Sequence, residues 1–278
     1  TAVGEDVTGW NVGDRVVPEL GFTLCGECYA CRHRLVNLCD NRKSVGYWYN
    51  GGFTKYSVVK ASGLHRLPDI VSFEEGALIE PLACAVHAVY GLTKIIPGDH
   101  VLVSGPGTIG LMSLQLAKAA GAVTILTGRS TDKKRFEVAR NVGADYILDS
   151  ETDDIRKEVM RITGGTGVDV VLECSGNEHA VTDGLHVVRK RGAFTQIGLF
   201  GDQVTIDYEK VCYKEVSLIG SLGQVWGDWE KALQLVGMDA VTLKPIATTV
   251  LPVTEWEKAF DMFERKEGIK ILLTPVDA

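Results

Sequence analysis

The sequence predicts an α/β protein, a doubly wound parallel sheet preceded by a β-rich region. Three observations carry that prediction. From about His100 onward, apolar runs alternate with helical stretches, as βαβ units require. Before Pro81 the pattern is different: short β-like runs separated by Gly, Asn and Asp turns. The length, 278 residues, exceeds one ordinary domain and suits two.

Taken in order, residues 15–18 and 53–60 read as strands of the first region. Six apolar runs then follow, at 101–104, 123–127, 146–148, 168–174, 193–197 and 216–219, with helical patterns between most of them. Six parallel strands joined by crossover helices make a doubly wound sheet. After residue 236 the pattern loosens, and 243–278 holds strand-like ends around a helix at 254–265. The expected organisation is a first domain over 1–82, the sheet domain over 83–239 and a closing segment over 240–278.

Composition excludes several classes. Acidic residues outnumber basic ones, 36 against 29, so the summed field discourages binding to nucleic-acid backbones or anionic lipid. The most apolar stretch, 76–92, is interrupted by Glu80, Pro81 and His87 and falls short of the roughly 18 clean apolar residues of a membrane span. The chain opens at Thr1 on a polar, turn-rich run unlike a secretory signal, so a cytoplasmic setting is expected.

The first of the six runs leads into GPGTIG, which places Gly105, Gly107 and Gly110 at GxGxxG spacing between a strand and a helix. In that context the motif marks a dinucleotide site: Gly105 for the tight turn, Gly107 for backbone approach to a pyrophosphate, Gly110 for close helix packing. The end of the second strand selects the cofactor. An NAD site would place a carboxylate there, but this chain reads Gly128, Arg129, Ser130. Space, a guanidinium and a hydroxyl suit a 2′-phosphate, so NADP is favoured over NAD. The alternative is that Arg129 is a solvated charge and Asp132 reaches the ribose.

Cys25, Cys28, Cys31 and Cys39 fall within fifteen residues. Four thiolates so close suit a closed tetrahedral Zn²⁺ site, which leaves no open position for chemistry and is therefore structural. An iron–sulfur cluster is the competitor, but the bacterial ferredoxin run has a shorter final gap followed by Pro, and here Asp40 follows Cys39.

The cysteine lobe, GGFTKYSVV, LHRLPDIVSFEEGALIEPLACAVHAV and the GPGTIG loop occur in an order that resembles the zinc-dependent medium-chain alcohol dehydrogenases over essentially the whole chain. IEPLA, with Glu80, is similar to the sorbitol (polyol) dehydrogenase branch. The resemblance implies a GroES-like catalytic domain beside a Rossmann domain. It also implies hydride transfer between a polyol or secondary alcohol and a nicotinamide cofactor, and a homo-oligomer, dimer or tetramer. Glu80 is carried over as a catalytic-site residue and ligand of a catalytic zinc or of its water. Ile109, Arg129, Ser130 and Arg135 are carried over to the cofactor, with Cys174, Ser175, Ile197, Leu199, Ser221 and Leu222 beyond the later strands.

Two departures stand out. Arg34 replaces a Gly usual in the family's lobe, and the upstream Cys and Gly-His-Glu ligands that the family expects lie outside this sequence. Impaired turnover is therefore expected of this stretch, and a noncatalytic dinucleotide-binding protein is the alternative. Glu80, Cys84 and His87 share one face of the expected helix, but Cys84 and His87 read better as core residues than as substitute ligands.

Overall fold

Between His100 and Gly220, six β-rich runs become the strands of one sheet in a computed structural model that describes residues 1–275. We number them β1 (His100–Ser104), β2 (Val123–Gly128), β3 (Tyr146–Asp149), β4 (Val168–Glu173), β5 (Val188–Gln196) and β6 (Ser217–Gly220). All pairings are parallel, in the spatial order β6-β5-β4-β1-β2-β3. β5 starts five residues earlier than the sequence suggests. Its extra turn bulges around Arg191 (φ 55°), whose N–H donates to the Lys214 carbonyl.

The order reverses between β1 and β4. Crossovers on the two sides therefore put their helices on opposite faces, which leaves the central strands β1, β2 and β4 buried and largely apolar, while the edge strand β6 is mostly exposed. Leu102, Ile125, Val171 and Phe194 from four strands form one core with Ile155, Val159, Val181 and Leu185 from the helices. Phe194 is completely buried, and a Cβ at Gly184 would come within 2.7 Å of its ring, so the helix Glu178–Val187 approaches the sheet closely there. Lys214 closes that helix, its ammonium donating to the Leu185 and Val188 carbonyls at 3.0 and 2.8 Å.

The chain divides into two units. The sheet unit holds Cys84–Gly223 and Asp239–Thr242. The other holds Thr1–Ala83, Gln224–Met238 and the chain from Leu243. The latter is built from short strand pairs: Val16–Pro18 antiparallel to Leu64–Arg66, Gly21–Thr23 antiparallel to Lys43–Ser44, and Ala247–Pro252 parallel to Lys270–Thr274. The helix between the last two, Trp256–Glu264, is shorter than the 254–265 expected because 253–255 form a 3₁₀ turn. Residues 276–278 of the expected closing segment lie outside the described residues.

Two expectations change. Residues 53–60 form no strand. Phe53, Tyr56 and Val58 are exposed there, and no strand among the described residues runs beside them to complete a ladder. The helix Trp226–Gly237, expected within the sheet domain, belongs to the other unit. Its Trp229 is buried there against His65, ring centroids 5.4 Å apart and nearly parallel. Trp226 flanks the same imidazole at 4.0 Å, and Glu19 accepts from His65 Nε2 at 3.2 Å. Aromatic contacts that join residues more than 160 positions apart leave no local signature. No helix of the described residues is long and apolar enough to cross a membrane.

Candidate cofactor and metal sites

The lobe that carries the four cysteines is the chain's excursion between Gly21–Thr23 and Lys43–Ser44. Cys28 caps the short helix Tyr29–Arg32, its Sγ accepting from the Cys31 N–H at 3.5 Å. Cys25 accepts from the Cys28 N–H at 3.4 Å, and Cys39 is buried beneath. All four Sγ atoms lie within 4.8 Å of one another, with Cys25–Cys39 at 3.6 Å and Cys25–Cys31 at 3.9 Å. A tetrahedron of about 2.3 Å Zn–S bonds puts its sulfurs roughly 3.8 Å apart, so the thiols fit that ion.

Backbone N–H groups of Cys28 and Glu27 draw the Cys25 thiol down to about 6, while burial pushes Cys31 up to about 12. Arg34 sits just past the helix at φ 61°, in the left-handed region, which explains why glycine suits this position.

At the carboxyl end of β1, Gly105 turns at φ 96° with its Cα against Ser175, where an added Cβ would meet Ser175 Cβ at 2.9 Å. An added Cβ on Gly110 would collide with the Gly105 carbonyl at 1.8 Å, whereas Gly107 faces open space. The helix Thr108–Ala119 starts there without any side-chain cap. Its first-turn N–H groups and dipole are what a pyrophosphate needs, and glycine at 105 and 110 is a steric requirement. The residues fit a dinucleotide.

Beyond β2, Arg129 is exposed and pairs with Glu151. Its Nε donates to Oε1 at 2.9 Å and Nη2 lies 2.8 Å from the same oxygen. Ser130 donates from its N–H to Glu151 Oε2 at 3.1 Å and from Oγ to Asp149 Oδ2 at 2.6 Å. Asp132, the alternative ribose partner, is engaged locally: it accepts from the Arg129 N–H at 3.0 Å and from Arg135 at 3.2 Å.

Beyond β4 and β5, the residues carried over from the resemblance are drawn together by one that was not, Glu173. Its completely buried carboxylate accepts from the N–H groups of Ser175 (2.8 Å) and Gly176 (3.0 Å), from the Ser175 hydroxyl, and from Gln196 Nε2 (2.6 Å). Its carbonyl accepts from the Ile197 and Gly198 N–H groups, and the Gln196 carbonyl accepts from Ser221. A charged residue that closes the apolar run VDVVLE was the available signal. Ser175, Ile197 and Ser221 thus sit on three laced strand ends, with Leu199 and Leu222 exposed nearby in sequence. Ile109 is half-buried in the first turn of its helix. Cys174 differs. Its thiol turns inward to Ser113 at 3.9 Å, and burial, then the Glu173 charge, push it far above the ordinary thiol range, which suits packing rather than reaction.

Glu80 lies in the first turn of the helix Ile79–Val86, and the Gln224 amide donates to its Oε1 at 3.2 Å. It also borders a cavity of about 310 Å³ lined with Val16, Leu20, Leu67, Phe73 and Trp229. Among the described residues, the four cysteines are the one cluster of three or more His, Cys, Asp or Glu ligands close enough to hold a metal. Glu80 belongs to no such cluster, so a second metal site is not complete within the described residues and no catalytic step is derived through a metal at Glu80.

Residues 108–237 match the family model of zinc-binding dehydrogenases, and residues 1–69 match that of the alcohol dehydrogenase GroES-like domain. A sorbitol dehydrogenase of Halalkalibacterium halodurans is 43% identical over 99% of this chain and 80% of its own length. A D-arabitol-phosphate dehydrogenase of Enterococcus avium is 40% identical over 98% and 77%. Among solved structures, a zinc-binding dehydrogenase of Sinorhizobium meliloti bound to NADP superposes with a TM-score of 0.88, at 29% identity over 99% of this chain and 80% of that one. The 2R,3R-butanediol dehydrogenase of Bacillus subtilis also gives 0.88, at 30% identity over 99% and 78%.

Proposed function

The chain belongs to the zinc-dependent medium-chain alcohol dehydrogenase family, in its sorbitol dehydrogenase-like branch, and on that premise we propose hydride transfer between a polyol or secondary alcohol and a nicotinamide dinucleotide, with NADP favoured over NAD. One observation carries the reading: the Gly105–Gly110 turn stands at the reversal point of the sheet with a guanidinium and a hydroxyl, not a carboxylate, heading the loop after β2.

When bound, the nicotinamide supplies or accepts the hydride. The chain's own residues bind and orient it. Backbone amides at the N-cap Gly107 and at Ile109 in the first turn would hold the pyrophosphate, Arg129 and Ser130 would take the ribose end, and Arg135 would flank the adenine. Ser175, Ile197 and Ser221 would line the reacting end with Leu199 and Leu222, on loops that Glu173 holds in register. Glu80 is the carboxylate assigned to the catalytic centre, its orientation set by Gln224. The four cysteines hold a structural zinc. The same reading expects a homo-oligomer in the cytoplasm.

A second reading is a noncatalytic dinucleotide-binding protein, because among the described residues Glu80 belongs to no cluster of three or more potential metal ligands. Two measurements separate the readings. Titration with NADPH and NADH should show binding of both, tighter for NADPH. An assay with NADP⁺ and a polyol panel should show at most slow turnover, and any that is present should fall further on Glu80→Ala. Binding without turnover at any substrate or zinc concentration favours the second reading, and no binding of either dinucleotide defeats both.

A further inference from the structure

The donors assigned to the ribose end are already engaged by an anion of the chain itself. Glu151 follows β3 by two residues. It presents one carboxylate oxygen to the Arg129 guanidinium and the other to the Ser130 N–H, at 2.8–3.1 Å. A phosphate makes the same kind of contact, a planar guanidinium fork and a backbone N–H. The carboxylate is itself positioned, because the Glu151 N–H donates to Asp149 Oδ1 at 3.0 Å and the Asp149 N–H to Asp153 at 2.8 Å. The hydrogen bond from Arg129 holds the Glu151 carboxyl below its ordinary range, so it is charged at neutral pH. Asp149, bound to the Ser130 hydroxyl, adds a second negative charge beside it.

We propose that Glu151 is a specificity-determining residue for the cofactor: its carboxylate occupies the anion seat formed by Arg129 and Ser130, and a 2′-phosphate must displace it to bind. This rests on the reading of Arg129 and Ser130 as the ribose end. A phosphate cannot share the Arg129 guanidinium with Glu151, beside the Asp149 charge on Ser130, without mutual repulsion, whereas a neutral 2′-hydroxyl finds the same carboxylates acceptable as partners. Arg129 is 61% exposed and Glu151 39%, so water screens their pair and the displacement is modest. The native preference for NADP is therefore small and set by the chain's own competing anion.

The test is titration of the whole chain with NADPH, NADH, 2′-AMP and 5′-AMP, before and after Glu151→Gln, which keeps the size and removes the charge. NADPH and 2′-AMP should bind about threefold to tenfold tighter in the variant, with NADH and 5′-AMP changing by less than about twofold. Arg129→Ala in the same titrations separates the two ideas. If it leaves NADPH binding untouched, the seat is elsewhere, and both the ribose-end reading and the role of Glu151 fall. If it weakens NADPH but Glu151→Gln gives no gain, or an equal gain for both cofactors, only the role of Glu151 falls.

Discussion

The cysteine lobe and the six-stranded sheet are stabilised by opposite means. The sheet buries long apolar side chains from strands and helices around Phe194, and each strand supports its neighbours through a parallel ladder. The lobe, residues 24–42, has almost nothing of the kind. Leu24, Tyr29, Leu35 and Leu38 are exposed, its helix is four residues long, and the side chains that converge are four sulfurs. A segment this short cannot bury enough surface to offset its chain entropy, so its order is expected to depend on the ion that the four cysteines would hold. The difference teaches that one chain can hold a hydrophobic fold and a metal-dependent fold with separate vulnerabilities.

The largest effect should come from the metal. Structural zinc binding is worth on the order of 10 kcal/mol in small zinc modules, so Cys39→Ser or strong chelation should remove about one zinc per chain and abolish hydrogen-exchange protection over 24–42. Metal analysis and exchange mass spectrometry would read this. Protection in the sheet should stay, and its simultaneous loss would break the comparison.

Next is the sheet itself. Phe194→Ala empties the centre of its core and should cost about 3–5 kcal/mol in denaturant unfolding, while zinc content stays near one. Loss of zinc in that variant would mean that the two regions are not separate.

A smaller effect is expected at Glu173, which is polar like the lobe but lies in the sheet. Glu173→Ala strands two N–H groups and the Gln196 amide, at about 1–3 kcal/mol of stability. Because Glu173 is a positioning residue, the substitution should also weaken NADPH and NADH alike, measured by titration, whereas affinities unchanged from the parent chain in a destabilised protein would reduce it to a purely structural role.

The smallest concerns Arg34. Its left-handed backbone is strained for any side chain, so Arg34→Gly should stabilise the lobe by about 0.5–1 kcal/mol, seen as slower zinc release to a chelator. Faster release would show that the arginine side chain itself supports the lobe.

What the sequence determined by itself is local and periodic. Strand and helix alternation after His100, the glycines at 105, 107 and 110 and the cysteines at 25, 28, 31 and 39 all announce themselves within a few residues, because βαβ units, tight turns and thiolate clusters are built from neighbours in the chain. What only the tertiary structure decided depends on partners far away. Residues 53–60 have a strand-like composition but no strand beside them, and a β ladder needs two. The helix Trp226–Gly237 follows β6 in sequence, yet Trp229 finds His65 and leaves the sheet unit. Glu173 looked like the end of a strand and proved to be the acceptor for Ser175, Gly176 and Gln196. Arg129 and Ser130 looked available to a phosphate until Glu151, twenty-two residues from Arg129, was found against them. A charge is read from sequence, but what neutralises it is fixed only when the strands align.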